Sequence, residues 1–186
     1  MAALYFPQGL NLAAYQAVAN LGSLSLYHIM SYFLESYLVV VPLVFLYLLY
    51  KKDRNAFIFA AAFLILYVIS DIIKMIVKEP RPCSFQGLQY LQGYCDTGYS
   101  FPSNHATILT GLFIFINHRY VKILYLVWVI LLLFGKLLLA QHYLTDIVAG
   151  AVISLIVAGL LKIPSKRINN VLAGLFNRLF GRIYRL

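Results

Sequence analysis

Charge is scarce in this 186-residue chain: Asp, Glu, Lys and Arg together make up 11%. Soluble domains carry about 25%. That shortage excludes a soluble globular enzyme, and 62% hydrophobic residues exclude a disordered protein or a fibre. Two cysteines are too few to build a fold from disulfides, although one staple fits. No Cys/His cluster has zinc spacing, and the six acidic residues are too scattered for a magnesium cage, so neither metal nor cofactor is expected. There is no internal repeat, low-complexity tract or linker, and no basic segment followed by a cleavage site, so no cleaved signal peptide is expected. What remains is a polytopic membrane protein of one domain over residues 1–186.

Five apolar stretches stand out: Leu24–Tyr50 with Pro42 as a kink, Ala56–Val77, Ala106 to about Ile116, Val121–Leu139 and Tyr143–Leu161. The expected fold class is therefore all-α, a membrane helical bundle of about five transmembrane helices. The third stretch approaches the roughly 20 residues of a crossing only if it runs from near Ser103 to Arg119. Both ends of the chain read as interfacial amphipathic helices: Leu10–Leu21, and a basic tail over 164–186. In the tail, Val171, Leu172, Leu175, Phe176, Leu179, Phe180 and Ile183 recur at helical spacing around Arg178, Arg182 and Arg185. This pattern suits anionic lipid headgroups; the alternative is a frayed basic tail.

The net charge of +9 suggests nucleic acid until the charges are placed. Eleven of the 15 basic residues fall on the side reached after the first, third and fifth stretches. By the positive-inside rule that side is cytoplasmic and the N-terminus lies outside. The surplus is a topology signal, and no nucleic-acid partner is needed.

The remaining ionisable groups are His28, Glu35, Asp71, Lys74, Lys78, Glu79, Arg81, Asp96, His105, Lys136, His142 and Asp146. Most converge on three places facing the non-cytoplasmic side, where polar groups in or near a membrane mark function. In KMIVKEPRP (74–82), Pro80 and Pro82 stop the second helix and stiffen the loop carrying Arg81. Lys74 and Arg81 suit a phosphate, although lysines there can also snorkel to the surface. In SFPSNH (100–105), Ser103 reads as an N-cap, and the free N–H groups of that helix start attract an anion beside His105. The alternative is an ordinary capped helix. In KLLLAQHYLTD (136–146), His142 and Asp146 lie four residues apart on one face. A carboxylate taking the Nδ1 proton leaves Nε2 bare as a nucleophile. The alternative is a structural pair closing a helix end.

Taken together, these stretches resemble the type 2 phosphatidic acid phosphatase superfamily, whose motifs are K-x6-R-P, P-S-G-H and S-R-x5-H-x3-D. Lys74, Arg81 and Pro82 match the first, and Pro102, Ser103 and His105 the second, with Asn104 in the glycine position. His142 and Asp146 match the third, with Lys136 at the arginine position and Gly135 at the serine position. The resemblance covers about Ala56–Leu161, a motif-bearing core of 56–161. It implies metal-independent hydrolysis of a lipid phosphate or diphosphate through a phosphohistidine. It gives His142 the attack, Asp146 its orientation and His105 the acid–base work, with Lys74, Arg81, Ser103, Asn104 and Lys136 on the phosphate oxygens. SFPSNHA is also similar to the SFPSDHA of bacterial undecaprenyl-diphosphate phosphatases, which favours polyprenyl diphosphate. Phosphatidate, phosphatidylglycerophosphate and lipid A are the other candidate substrates. A catalytically weak lipid-binding relative is the reading from another class, supported by the changes at Lys136 and Asn104. Glu35 and Asp71 are expected to be structural or to line the substrate's path, Asp71 in an ion pair with Lys74. Cys83 and Cys95 share the outer loop, where an oxidising exterior permits a disulfide and a reducing setting leaves two thiols. Oligomeric state is open.

Overall fold

The computed structural model describes residues 23–84, 94–163 and 165–180. The amphipathic stretch expected at Leu10–Leu21 and the tail beyond Phe180 lie outside them. The described residues form helices and connecting turns, with no strand among them. In chain order the helices are α1 (Leu24–Leu34), α2 (Tyr37–Tyr50), α3 (Asn55–Val77), α4 (Asn104–Phe113), α5 (Arg119–Leu138), α6 (Leu144–Lys162) and α7 (Ser165–Phe180).

Among the described residues, four segments are long and apolar enough to cross a membrane: α1 with α2, α3 with the 3-10 turn that follows it, α5 and α6. Their outward faces carry large exposed apolar side chains, among them Leu64, Val68, Ile72, Leu124, Val127, Val152 and Ile156. Apolar surface on this scale suits lipid and not water. Inside, Leu48, Phe59, Leu66, Leu109, Leu112 and Leu132 are fully buried.

Two details differ from the sequence reading. The first helical segment breaks at Glu35–Ser36, where i→i−3 bonds such as Ser36 N–H to the Phe33 carbonyl tighten the chain. Pro42 sits within the continuous α2. The break turns Glu35 and Tyr37 toward the polar end of the bundle, and Ser36 Oγ accepts a bond from Trp128 Nε1 at 2.9 Å. The third stretch forms only the ten-residue α4. Ten helical residues rise about 15 Å, half a bilayer core. Four of the five expected spans are therefore long helical segments among the described residues, and the third stretch is a helix too short to count as a span. Non-helical residues 114–118 carry the chain on to His118, which lies 3.5 Å from Asp53 in the α2–α3 turn. Irregular backbone at such depth is tolerated where protein covers it, and Phe115 and Ile116 are buried.

The short α4 packs most closely on α6. At Gly150 a side chain would come within 2.9 Å of the Ser103 carbonyl oxygen and 2.9 Å of Thr107 Oγ1. Only a bare backbone allows this approach, as at small-residue contacts between membrane helices.

α7 folds back on the start of α3. Asn169 Oδ1 accepts the Ile58 N–H at 3.1 Å, capping one of the four orphan donors at that helix start. Arg54 Nη1 donates to Asn170 Oδ1 at 3.1 Å, and Phe57 meets Phe176 with ring centroids 5.7 Å apart. The inner face of the C-terminal helix therefore docks on protein, while Val171, Leu175 and Arg178 stay exposed.

Candidate active site

Prolines end α3 and start the site. Lys78 closes the helix in a left-handed conformation (φ 54°), and Pro80 and Pro82 prevent its continuation. Cys83 and Cys95 then form a disulfide with Cα atoms 5.9 Å apart. It ties the Arg81 turn to the segment that carries Asp96.

All three motifs meet at one cavity of about 280 Å³, lined by Glu35, Tyr37, Lys74, Arg81, Asp96, Thr97, Asn104, His105, Lys136 and His142. His142 follows the end of α5 and precedes α6; it is 2% exposed. Its Nε2 lies 3.2 Å from Arg81 Nη1. A guanidinium only donates, so Nε2 accepts and the proton resides on Nδ1. Nδ1 faces Asp146 Oδ2 at 3.4 Å. The same carboxylate oxygen accepts the Tyr143 N–H at 2.9 Å and the Ser100 hydroxyl. Burial, then the cations Arg81, Lys74 and Lys136, hold the His142 pKa well below its ordinary 6.5. His142 is thus a neutral imidazole at neutral pH, with its lone pair toward the cations.

Lys136 is 1% exposed near the end of α5. Its Nζ donates to Gln141 Oε1 at 2.6 Å and to Asp96 Oδ2 at 3.0 Å. Two acceptors thus satisfy a buried point charge where the motif usually has a guanidinium fork. At neighbouring Gly135, a side chain would meet Leu34 Cδ2 at 3.0 Å. The serine usual at this motif position would press on α1.

Lys74, Arg81, Asn104, His105, Lys136 and His142 line the cavity as expected from sequence, while Asp146 and Ser103 lie buried behind it. Ser103 serves the fold: its Oγ accepts the Ala106 N–H at 3.4 Å, and its own N–H donates to the Asp146 carbonyl at 3.2 Å. The expected helix-start contact with an anion therefore has no support from the Ser103 N–H or hydroxyl. Lys74 does not pair with Asp71. Its Nζ donates to the carbonyls of Tyr99 (2.9 Å), Ser100 (3.2 Å) and Pro102 (2.8 Å), holding the loop that enters α4. Asp71 instead accepts from Asn104 Nδ2 at 2.9 Å, and Ser70 donates to Asn104 Oδ1 at 2.6 Å. His105 has a buried Nε2 with no hydrogen-bond partner, and its ring meets Tyr37 edge-on at 4.6 Å.

Sequence reasoning gave no role to Ser100, Gln141, Asp96 or Tyr37, and placed Glu35 only loosely. Adjacency was the available signal: Gln141 precedes His142, Asp96 follows Cys95, and Ser100 opens the second motif stretch.

The chain is similar to known proteins. The chain is 28% identical over 140 residues to a protein from Sulfolobus acidocaldarius named undecaprenyl-diphosphatase, covering 73% of this chain. The match spans 66% of that relative's length. No solved structure matches the chain. The family model described as the PAP2 superfamily matches residues 55–168, from the start of α3 into α7 and across all three motif stretches. This membrane protein belongs to the PAP2 superfamily.

Proposed function

We propose that the protein is an integral membrane lipid phosphatase that works through a phosphohistidine, with a polyprenyl diphosphate as its favoured substrate. One observation carries this reading: a neutral imidazole nitrogen, His142 Nε2, lies 3.2 Å from the Arg81 guanidinium, with Asp146 behind its other nitrogen. The nucleophile is oriented, and positive charge surrounds the space in front of it. Phosphoryl transfer depends mostly on such positioning and charge.

In the first step Nε2 attacks phosphorus and the bond to the leaving oxygen breaks, and His105, which takes up a proton as the anionic substrate enters the cavity, passes that proton to the leaving oxygen. Asp146 stabilises the charge that develops on the His142 ring. In the second step water gives a proton to His105 and attacks phosphorus, the P–N bond breaks, and inorganic phosphate departs. Arg81 and Lys136 hold the equatorial oxygens. Lys74 shapes the loop beside them, and no step calls for a metal. From a diphosphate, the first leaving group is the prenyl monophosphate. The relative's name supports the diphosphate. The cavity falls below the roughly 300–1,000 Å³ typical of drug-sized ligands, which suits a headgroup whose tail stays in the bilayer.

The positive-inside rule puts the cavity on the extracytoplasmic face of the cell membrane, since Lys51, Lys52, Arg54, Arg119 and Lys162 mark the opposite end. The exposed Val171, Leu175 and Arg178 of α7 then meet the cytoplasmic leaflet and its anionic headgroups.

The test is phosphate release by detergent-solubilised protein, in EDTA, from polyprenyl diphosphate, phosphatidate, phosphatidylglycerophosphate and lipid A. Wild type releases phosphate, fastest from the diphosphate, and His142→Ala lowers kcat by about 10³-fold or more. Equal release by both proteins, or none by wild type, overturns the reading.

A further inference from the structure

The cavity contains an anion of the protein's own. Asp96 Oδ2 lies 3.0 Å from Lys136 Nζ and 3.8 Å from Arg81 Nη1. That same Nη1 is 3.2 Å from the attacking nitrogen of His142. One carboxylate oxygen thus bridges both cations assigned to the substrate, where a phosphoryl oxygen would bridge them. The Asp96 side chain is 39% exposed, unlike Asp146, which is fully buried. It can move toward solvent. The adjacent Cys95 is bonded to Cys83, two residues past Arg81, so that movement is tethered.

We propose that Asp96 is an internal competitor for the substrate's anionic group, holding Arg81 and Lys136 until a phosphoryl oxygen displaces it. The inference rests on the phosphatase reading above and deepens it. Like charges a few ångströms apart repel strongly at a partly desolvated site, so phosphate and the Asp96 carboxylate exclude one another from the same two cations. The competition weighs most on free inorganic phosphate. A lipid substrate offsets it with the burial of its tail in the bilayer, whereas the released product has nothing to offset it. Asp96 thereby selects membrane-tethered phosphates over soluble ones and speeds departure of the product.

The test uses the full chain in detergent, with inorganic phosphate as the probe, measured by calorimetry and as a competitive inhibitor. Asp96→Asn keeps an acceptor for Lys136 and removes the charge; Asp96→Ser removes it with a different shape. Both bind phosphate about tenfold or more tighter than wild type, the scale of one close charge contact. Asp96→Glu, which keeps the charge, stays within about threefold of wild type by the same argument. Thermal unfolding identifies any variant that has lost its fold, and the other charge-removing variant then decides. Phosphate binding by folded Asn and Ser variants that is equal to or weaker than wild type overturns the proposal and makes Asp96 a brace for Lys136. If wild type and variants neither bind phosphate nor release it from any lipid, the phosphatase reading falls and this inference falls with it.

Discussion

The two ends of the bundle both carry charge, and they treat it in opposite ways. At the cavity end Lys136 and Asp146 are almost fully buried, and both have close partners on another segment. At the other end Lys51, Lys52, Arg54 and Arg119 stand exposed. Charge left in water is screened and contributes little beyond orienting the chain in its membrane. Charge removed from water must be paired and hydrogen-bonded, and once paired it fixes geometry. Similar residue types therefore serve topology at one end and chemistry at the other.

The largest way to break this contrast is Asp146→Asn. The amide keeps the shape but alters what Nδ1 of His142 faces, and kcat is expected to fall about 10³-fold, measured as phosphate release. Survival of the rate would make the His142–Asp146 contact merely structural. The pH profile sharpens the contrast next. The His142 pKa is lowered, so the nucleophile stays neutral as pH falls past 6.5 and is protonated only well below it. The His142 contribution to the acid limb of kcat/KM should then lie well below pH 6.5, and further down kcat/KM should drop about tenfold per pH unit. A limb at or above 6.5 would mean that His142 is not held among cations. The smallest effect belongs to the far end. Asn169→Ala removes the acceptor of the Ile58 N–H and is expected to cost about 1 kcal/mol of stability in thermal unfolding. It should leave kcat/KM within about twofold, because no site residue touches that end.

Most of this site is legible in the sequence because its side chains are rare in an apolar chain. His142, Asp146, Arg81 and Lys136 had few roles available to them away from water. What the sequence hid depends on the backbone. Lys74 lines the cavity as its motif position implies, but the three bonds of its Nζ run to main-chain carbonyls, which every residue carries and no motif displays. Ser103 was read correctly as a cap, but its N–H goes to the Asp146 carbonyl, a contact set by how closely α4 meets α6. The span boundaries followed hydropathy well, from Leu24–Tyr50 through Leu144–Lys162. The third stretch did not: its apolar residues form a ten-residue helix buried by protein neighbours, and hydropathy alone does not tell burial in protein from burial in lipid. The break at Glu35–Ser36 carried no proline or glycine to announce it.

Asn104 carries a lesson for reading degenerate motifs. Its amide is gripped on both sides by Ser70 and Asp71, from a different helix. The departure from glycine is thus one half of a lock whose other half sits more than thirty positions upstream. Changing Asn104 to glycine in isolation would take a partner from Ser70 and Asp71 at once, so an apparently degraded signature is intelligible only when the matching residues are inspected together.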